Sequence, residues 1–189
     1  LRLLRNFSRQ NPDYVVMECM AVLPDYQWVS EHKMVKSNIG VITNVRMDHV
    51  DEMGYTMDDI TKSLSNTVPK HGKIVTTNCS TSHIIREKSE INNSEYIEIN
   101  SDEISQNIIE KFPYLEHSEN IAIALEVCKL AGIGKDIALD GMIKATPDPG
   151  ALKILKIPGV NKFNYFVNAF AANDPCLLYT SPSPRDTEV

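Results

Sequence analysis

Val15-Val16-Met17-Glu18-Cys19 and then Ile39-Gly40-Val41-Ile42-Thr43-Asn44-Val45-Arg46-Met47-Asp48-His49-Val50-Asp51 decide how this chain reads. Each stretch opens as a short apolar run with the length and β-branched content of a buried strand, and each ends on polar residues. In an open parallel sheet, ligands bind in the crevice outside the C-terminal ends of the strands. If residues 14–19 and 39–44 are neighbouring strands, Glu18 and His49 face one pocket. The chemistry expected of the chain rests on that pairing.

Outward from these runs the pattern alternates. Residues 1–12 read as the end of a helix closed by Asn11-Pro12, and residues 24–37 as a mixed, partly helical segment. Beyond the acidic turn, Gly54 precedes a helix with Thr56 as N-cap and Asp59 three residues on. Met57, Ile60 and Leu64 recur there at helical spacing until Pro69 and Gly72 end the pattern. Further strands are expected at 73–77, 95–99, 152–157 and 163–167. Further helices are expected at 82–88, 116–131 and 136–144, with Gly132 and Gly134 stopping the long one. Strands alternating with helices indicate an α/β fold, a mostly parallel sheet flanked by helices. Thr146-Pro147-Asp148-Pro149-Gly150 reads as a linker, which divides the chain into residues 1–146 and 147–175. Residues 176–189, with Ser181-Pro182-Ser183-Pro184, have no periodicity and read as a non-native tail of translated adapter sequence. A start inside the helical pattern Leu-Arg-Leu-Leu-Arg marks the chain as a fragment.

Composition narrows the class. With 42% hydrophobic and 23% charged residues, the chain falls among soluble globular proteins and not among disordered or fibrous ones. A net charge of −6 argues against a general nucleic-acid binder and sets the protein against polyanionic substrates unless a metal or local cations intervene. No apolar run approaches the roughly 20 residues that cross a bilayer. Cys19, Cys79, Cys128 and Cys176 are scattered without metal-site spacing and read as reduced thiols of a cytosolic chain.

Taken singly, the polar motifs have bland readings. A strand-end glutamate such as Glu18 is most often solvated. Asn44, Asp48, His49 and Asp51 make either a polar surface turn or a carboxylate–imidazole set that holds a divalent ion against phosphate oxygens. Imidazole suits manganese better than magnesium. His117-Ser118-Glu119-Asn120 opens the long helix, either as an ordinary start or with Asn120 beside a nucleotide base. His32 and His71 read as surface residues. No Gly-x-x-x-x-Gly-Lys-Ser/Thr occurs in these residues.

Jointly the motifs say more. Met17-Glu18-Cys19-Met20-Ala21-Val22 with Pro24-Asp25-Tyr26-Gln27 is one block, and Gly40-Val41-Ile42-Thr43-Asn44-Val45 with Asp48-His49 is a second. Pro147-Asp148-Pro149-Gly150-Ala151-Leu152 and Asn168-Ala169-Phe170-Ala171-Ala172-Asn173-Asp174-Pro175 complete the set. Over residues 1–175 the sequence resembles the Mur-ligase superfamily of ATP-dependent amide ligases, and within it the ligase subunits of poly-γ-glutamate synthases. The resemblance implies a phosphate loop upstream of Leu1, a central ATP-binding domain to residue 146, and the start of a Rossmann-like domain from residue 147. It implies that Glu18 and His49 are catalytic and bind Mg2+ (or Mn2+) at the ATP phosphates. Asn44 and Asp48 would shape that turn, Asn120 would lie at the adenine, and Asn168 and Asn173 at the interdomain nucleotide face.

The sequence also departs from the pattern. Many relatives carry a lysine, often carbamylated, at a place equivalent to Leu64, and Lys62 is two residues away. His117 is one residue closer to Asn120 than the family histidine, and Asn168 stands where many relatives have aspartate. The implied reaction activates a carboxylate with ATP as an acyl phosphate, from which an amine displaces phosphate. Its substrates would be glutamate and a growing γ-glutamyl chain, with no nucleic acid involved. Membrane partner subunits would hold the protein peripherally on the inner face of the cell membrane, and the fragment alone would be inactive. Two alternatives stand beside this expectation: a folylpolyglutamate or peptidoglycan-precursor ligase, and a nucleotide-binding domain without catalysis.

Overall fold

The computed structural model describes residues 2–114, 116–146, 153–158 and 163–168, which divide into one unit running to Ile99 and another from Asn100. The first unit is built on a three-stranded parallel sheet in the order β1 (Ile39–Ile42), β2 (Lys73–Thr77), β3 (Glu95–Ile99). Parallel neighbours need crossovers, and helices supply them. Between β1 and β2 run α3 (Val50–Met53) and α4 (Met57–Leu64), and between β2 and β3 runs α5 (Ser82–Ile91). β2 is central and reads as a buried strand should: Ile74, Val75 and Thr76 are almost wholly shielded. Ile74 packs with Ile42, Val45, Ile60, Val68 and Ile85, so the core joins two strands, both crossovers and the loop into β2.

Before the sheet come α1 (Arg2–Gln10), α2 (Pro24–Val29) and a π-helical turn (Ser30–Val35). The expected strand at 14–19 is not one. Those residues join no ladder, and they lie exposed, Val16 to 95%. Strand propensity alone does not make a strand; a neighbour must take the backbone hydrogen bonds, and no described strand lies beside this segment. β1 is therefore an edge of the described sheet, and the pairing that was to bring Glu18 beside His49 is absent from it.

The N-terminal edge of the sheet is tightly tied. A Cβ added to Gly40 would stand 2.8 Å from Pro69 Cδ, and one on Gly72 would stand 2.7 Å from the Asn38 carbonyl. Asn92 Nδ2 donates to the Val68 carbonyl at 2.8 Å, and Ser94 Oγ to that of Pro69 at 2.6 Å. The loops entering β1, β2 and β3 are thus closed over one another.

The second unit contains α6 (Gln106–Ile109), α7 (Ser118–Leu130), α8 (Lys135–Lys144) and the strands β4 (Lys153–Pro158) and β5 (Phe163–Asn168). Ile121, Ala122 and Ile123 are buried on α7, and Tyr114 Oη donates to the Met142 carbonyl of α8 at 3.3 Å. The helix stop falls at the expected glycine: Gly132 has φ +79, its N–H donates to the Lys129 carbonyl, and Ile133 N–H donates to that of Cys128. This is the Schellman closure, which a left-handed residue permits. β4 and β5 follow one another without an intervening helix and pair antiparallel, Leu155 opposite Phe166.

Candidate active site

The C-terminal edge of the parallel sheet is open where the opposite edge is closed. β1 delivers Thr43 and Asn44 there, and Thr77 Oγ1 at the end of β2 donates to the Thr43 carbonyl at 3.0 Å. That bond fixes where the chain leaves the sheet. Val45 then turns into the core while Asn44, Asp48 and His49 remain exposed.

The turn has a specific backbone cause. His49 sits at φ 48, ψ 43, the left-handed conformation that costs a residue with a Cβ about 1–2 kcal/mol. Asp48 Oδ1 accepts the His49 N–H at 2.8 Å, while Asp48 Oδ2 lies 3.6 Å from His49 Nε2. The His49 carbonyl accepts the N–H groups of Glu52 and Met53, so the strained residue is also the N-cap of α3. Gly54 closes that helix at φ +115, where a Cβ would meet Asp59 Cβ at 2.3 Å. Thr56 then caps α4: its Oγ1 accepts the Asp59 N–H at 3.1 Å and donates to Asp59 Oδ2 at 2.6 Å. A bulky residue held in the left-handed region by its surroundings is a common mark of a functional site.

Beside this turn is an open hollow of about 550 Å3 lined by Pro24, Asp51, Glu52, Tyr55, Asp59 and Lys62, among others. Tyr55 Oη donates to Asp51 Oδ1 at 3.0 Å. Tyr55 and Thr77 hold the site's framework and were not singled out from sequence. A threonine ending a strand and a tyrosine beside a glycine are too common to signal such a role.

The other expected residues are dispersed. Glu18 lies on the exposed segment, and no recorded hydrogen bond or ion pair joins it to His49. Asn120 belongs to the second unit, where its Nδ2 donates to Glu116 Oε1 at 2.8 Å, and His117 is the N-cap residue of α7 without a side-chain cap bond. The backbone of Asn168 ends β5 opposite Lys153; its side chain, Asn173 and the 147–152 motif lie outside the described residues. Among the described residues no three of His, Cys, Asp and Glu gather as a metal-holding group. The exposed Asp48–His49 pair fits the looser demand of a hydrated divalent ion, which commonly uses one or two side chains and takes its remaining oxygens from water and phosphate.

In an open parallel α/β sheet, the C-terminal ends of the strands, where this polar turn lies, are where ligands bind. Residues 1–140 match the Mur ligase middle domain, and the chain belongs to that family. It is 37% identical over 174 residues to the capsule biosynthesis protein CapB of Bacillus anthracis, covering 92% of this chain and 38% of that protein. It is also 37% identical over 171 residues to the PGA synthase CapB of Bacillus subtilis (strain 168), covering 90% and 44%. The chain thus spans about two fifths of the length of these relatives. Among solved structures, an FPGS–AMPPCP complex shares the fold with a TM-score of 0.61 at 16% identity, over 78% of this chain and 43% of that one.

Proposed function

We propose that this chain is the central part of an ATP-dependent acid–amino-acid ligase that forms γ-glutamyl bonds in poly-γ-glutamate synthesis. The observation that carries the reading is the 37% identity to the two CapB proteins over nine tenths of the chain. In the reaction a carboxylate oxygen attacks the ATP γ-phosphorus and ADP leaves. The glutamate amine then attacks the acyl carbon, phosphate leaves with its oxygen, and the amine loses a proton as the amide forms. Such transfers need alignment and charge neutralisation more than covalent help from the protein.

In this reading Glu18 and His49 hold the magnesium or manganese ion, and Asp48 shapes the turn that carries His49. When bound, the ion offsets the repulsion among ATP, an anionic chain end and an acidic protein. The left-handed backbone of His49 sets where its side chain leaves the turn. Asn44 supports the turn, Asn120 meets the adenine, and Asn168 and Asn173 lie at the nucleotide face of a following domain. Residues 1–146 form the ATP-binding domain, 147–175 begin the next, and 176–189 are foreign to it. Glutamate and the growing chain are the substrates, and membrane partner subunits keep the enzyme at the inner face of the cell membrane. No helix among the described residues is long and apolar enough to cross a membrane.

The second reading, a folylpolyglutamate ligase, is favoured by the fold shared with FPGS, but at far lower identity. The full-length parent decides between them. It should release ADP with glutamate and a γ-glutamyl primer and not with a pteroate acceptor; the reverse preference overturns the proposal. In the same enzyme, Glu18→Ala and His49→Ala should each lower glutamate-dependent ADP release about tenfold or more, as loss of charge stabilisation at a transferring phosphoryl group does. Near-normal rates in both would remove the metal assignment while leaving the ligase reading standing.

A further inference from the structure

β1 changes phase as it leaves the sheet. Side chains alternate along a strand, so burial of Ile42 predicts Asn44 inside and Val45 outside. The reverse is found. Val45 is buried in the same cluster as Ile42, while Thr43 and Asn44 are both exposed. Two exposed residues in succession mark the point where the backbone stops following its neighbour. The β1–β2 pairing ends at the same point, with Ile42 opposite Thr76.

One side chain spans the break. Thr77, buried at the end of β2, donates from Oγ1 to the Thr43 carbonyl at 3.0 Å, and since a carbonyl only accepts, the direction of the bond is fixed. This bond takes over one residue beyond the last ladder pair. It holds Thr43 against β2 and leaves the backbone that follows free to turn. Downstream, Val45 lies in the core, and Val50 and Met53 pack against that core. Arg46, Met47, Asp48 and His49 are thus an exposed span between anchored ends. Inside the span, the Asp48 Oδ1 bond to the His49 N–H joins adjacent residues and cannot aim the whole. Burial of Val45 is non-directional, whereas a hydrogen bond has a preferred angle. Thr77 therefore supplies the directional hold at the start of the turn.

We propose that Thr77 is a positioning residue for the turn that carries His49: its hydroxyl sets the phase change that leaves Asn44 exposed and aims the span beyond it. The inference rests on the reading of His49 as an ion ligand. Thr77 acts through the Thr43 backbone. Threonine meets both demands, because its branched Cβ suits a strand and its hydroxyl can reach a neighbouring carbonyl. Valine has nearly the same shape and no donor. In Thr77→Val the core still holds Val45, but the exit from β1 loses its direction and the turn samples more orientations. A site that must be ordered on binding holds its ligand more weakly.

The test uses the full-length parent and measures the magnesium concentration needed for half-maximal binding of the ATP analogue AMPPCP, so no turnover is required. Thr77→Val should raise that concentration about three- to tenfold, the worth of one hydrogen bond. Thr77→Ser keeps the donor and should follow the wild type. A wild-type requirement in Thr77→Val, or an equal rise in Thr77→Ser, overturns the proposal. So does a lowered urea midpoint in Thr77→Val with the magnesium requirement unchanged, which would make the residue structural only. If binding by the wild type does not depend on magnesium, the ion assignment falls and the proposal with it. Absence of glutamate-dependent ADP release, by contrast, removes the ligase reading and leaves the binding measurement to decide the role of Thr77.

Discussion

The two edges of one three-stranded sheet differ in how closely they are packed. At the N-terminal edge the loops interlock so closely that Gly40 and Gly72 have no room for a methyl group. At the C-terminal edge the chain spends conformational energy: His49 occupies a left-handed position that glycine would take freely, and its side chain remains half exposed. Left-handed residues with side chains occur at both edges, Lys36, His71 and Asn93 before the strands and His49 after β1, so the edges differ in packing: one has no room for a methyl group, the other leaves a polar turn exposed. That division is expected where a scaffold is stabilised at one end of its strands and does chemistry at the other.

The contrast can be broken by substitutions of opposite sign. Gly72→Ala should destabilise the chain by about 1–3 kcal/mol, the usual cost of overpacking, because the new methyl meets a backbone carbonyl that cannot rotate away. An unchanged urea midpoint would show that the N-terminal edge yields. His49→Gly should do the reverse, raising stability by about 0.5–1 kcal/mol once glycine's unfolded freedom is set against the relieved strain. A loss of stability there would mean that the imidazole supports the fold, and the comparison would fail.

The smallest effect tests the half-buried His32 in the turn before β1. Because burial lowers the folded-state affinity of His32 for protons, the unfolded chain binds more of them in acid. Stability should therefore be fully present above about pH 6.5 and decline as the pH falls below it, and His32→Gln should flatten that part of the profile. Parallel wild-type and variant profiles would show that the ring is solvated.

Local features were legible in the sequence and relational ones were not. Thr56 and Asp59 announced the cap of α4, and both of its hydrogen bonds form. Gly132 announced the end of α7, and the alternation of β1, β2 and β3 with helices announced the parallel sheet. Each of these signals is complete within a few residues. Residues 14–19 carry an equally clear strand pattern, yet strand identity belongs to a pair, and the partner is not written in the segment itself. The enclosed Nε2 of His32 depends on how its segment packs, so a mixed segment with one histidine could not disclose it. At the candidate site, Asp48 and His49 were visible as a polar cluster, but the left-handed backbone that orients them was not. Nothing in a histidine's identity encodes a positive φ.

The exposed run from Tyr14 to Met20 has a consequence for handling the molecule. Val16, Met17 and Met20 stand in solvent on a segment that belongs to no strand ladder among the described residues. To a second copy in concentrated solution, such a ribbon is a template for intermolecular strand pairing. A charged residue in place of Val16 should therefore raise the concentration at which the chain stays in solution, since that side chain supports nothing in the core.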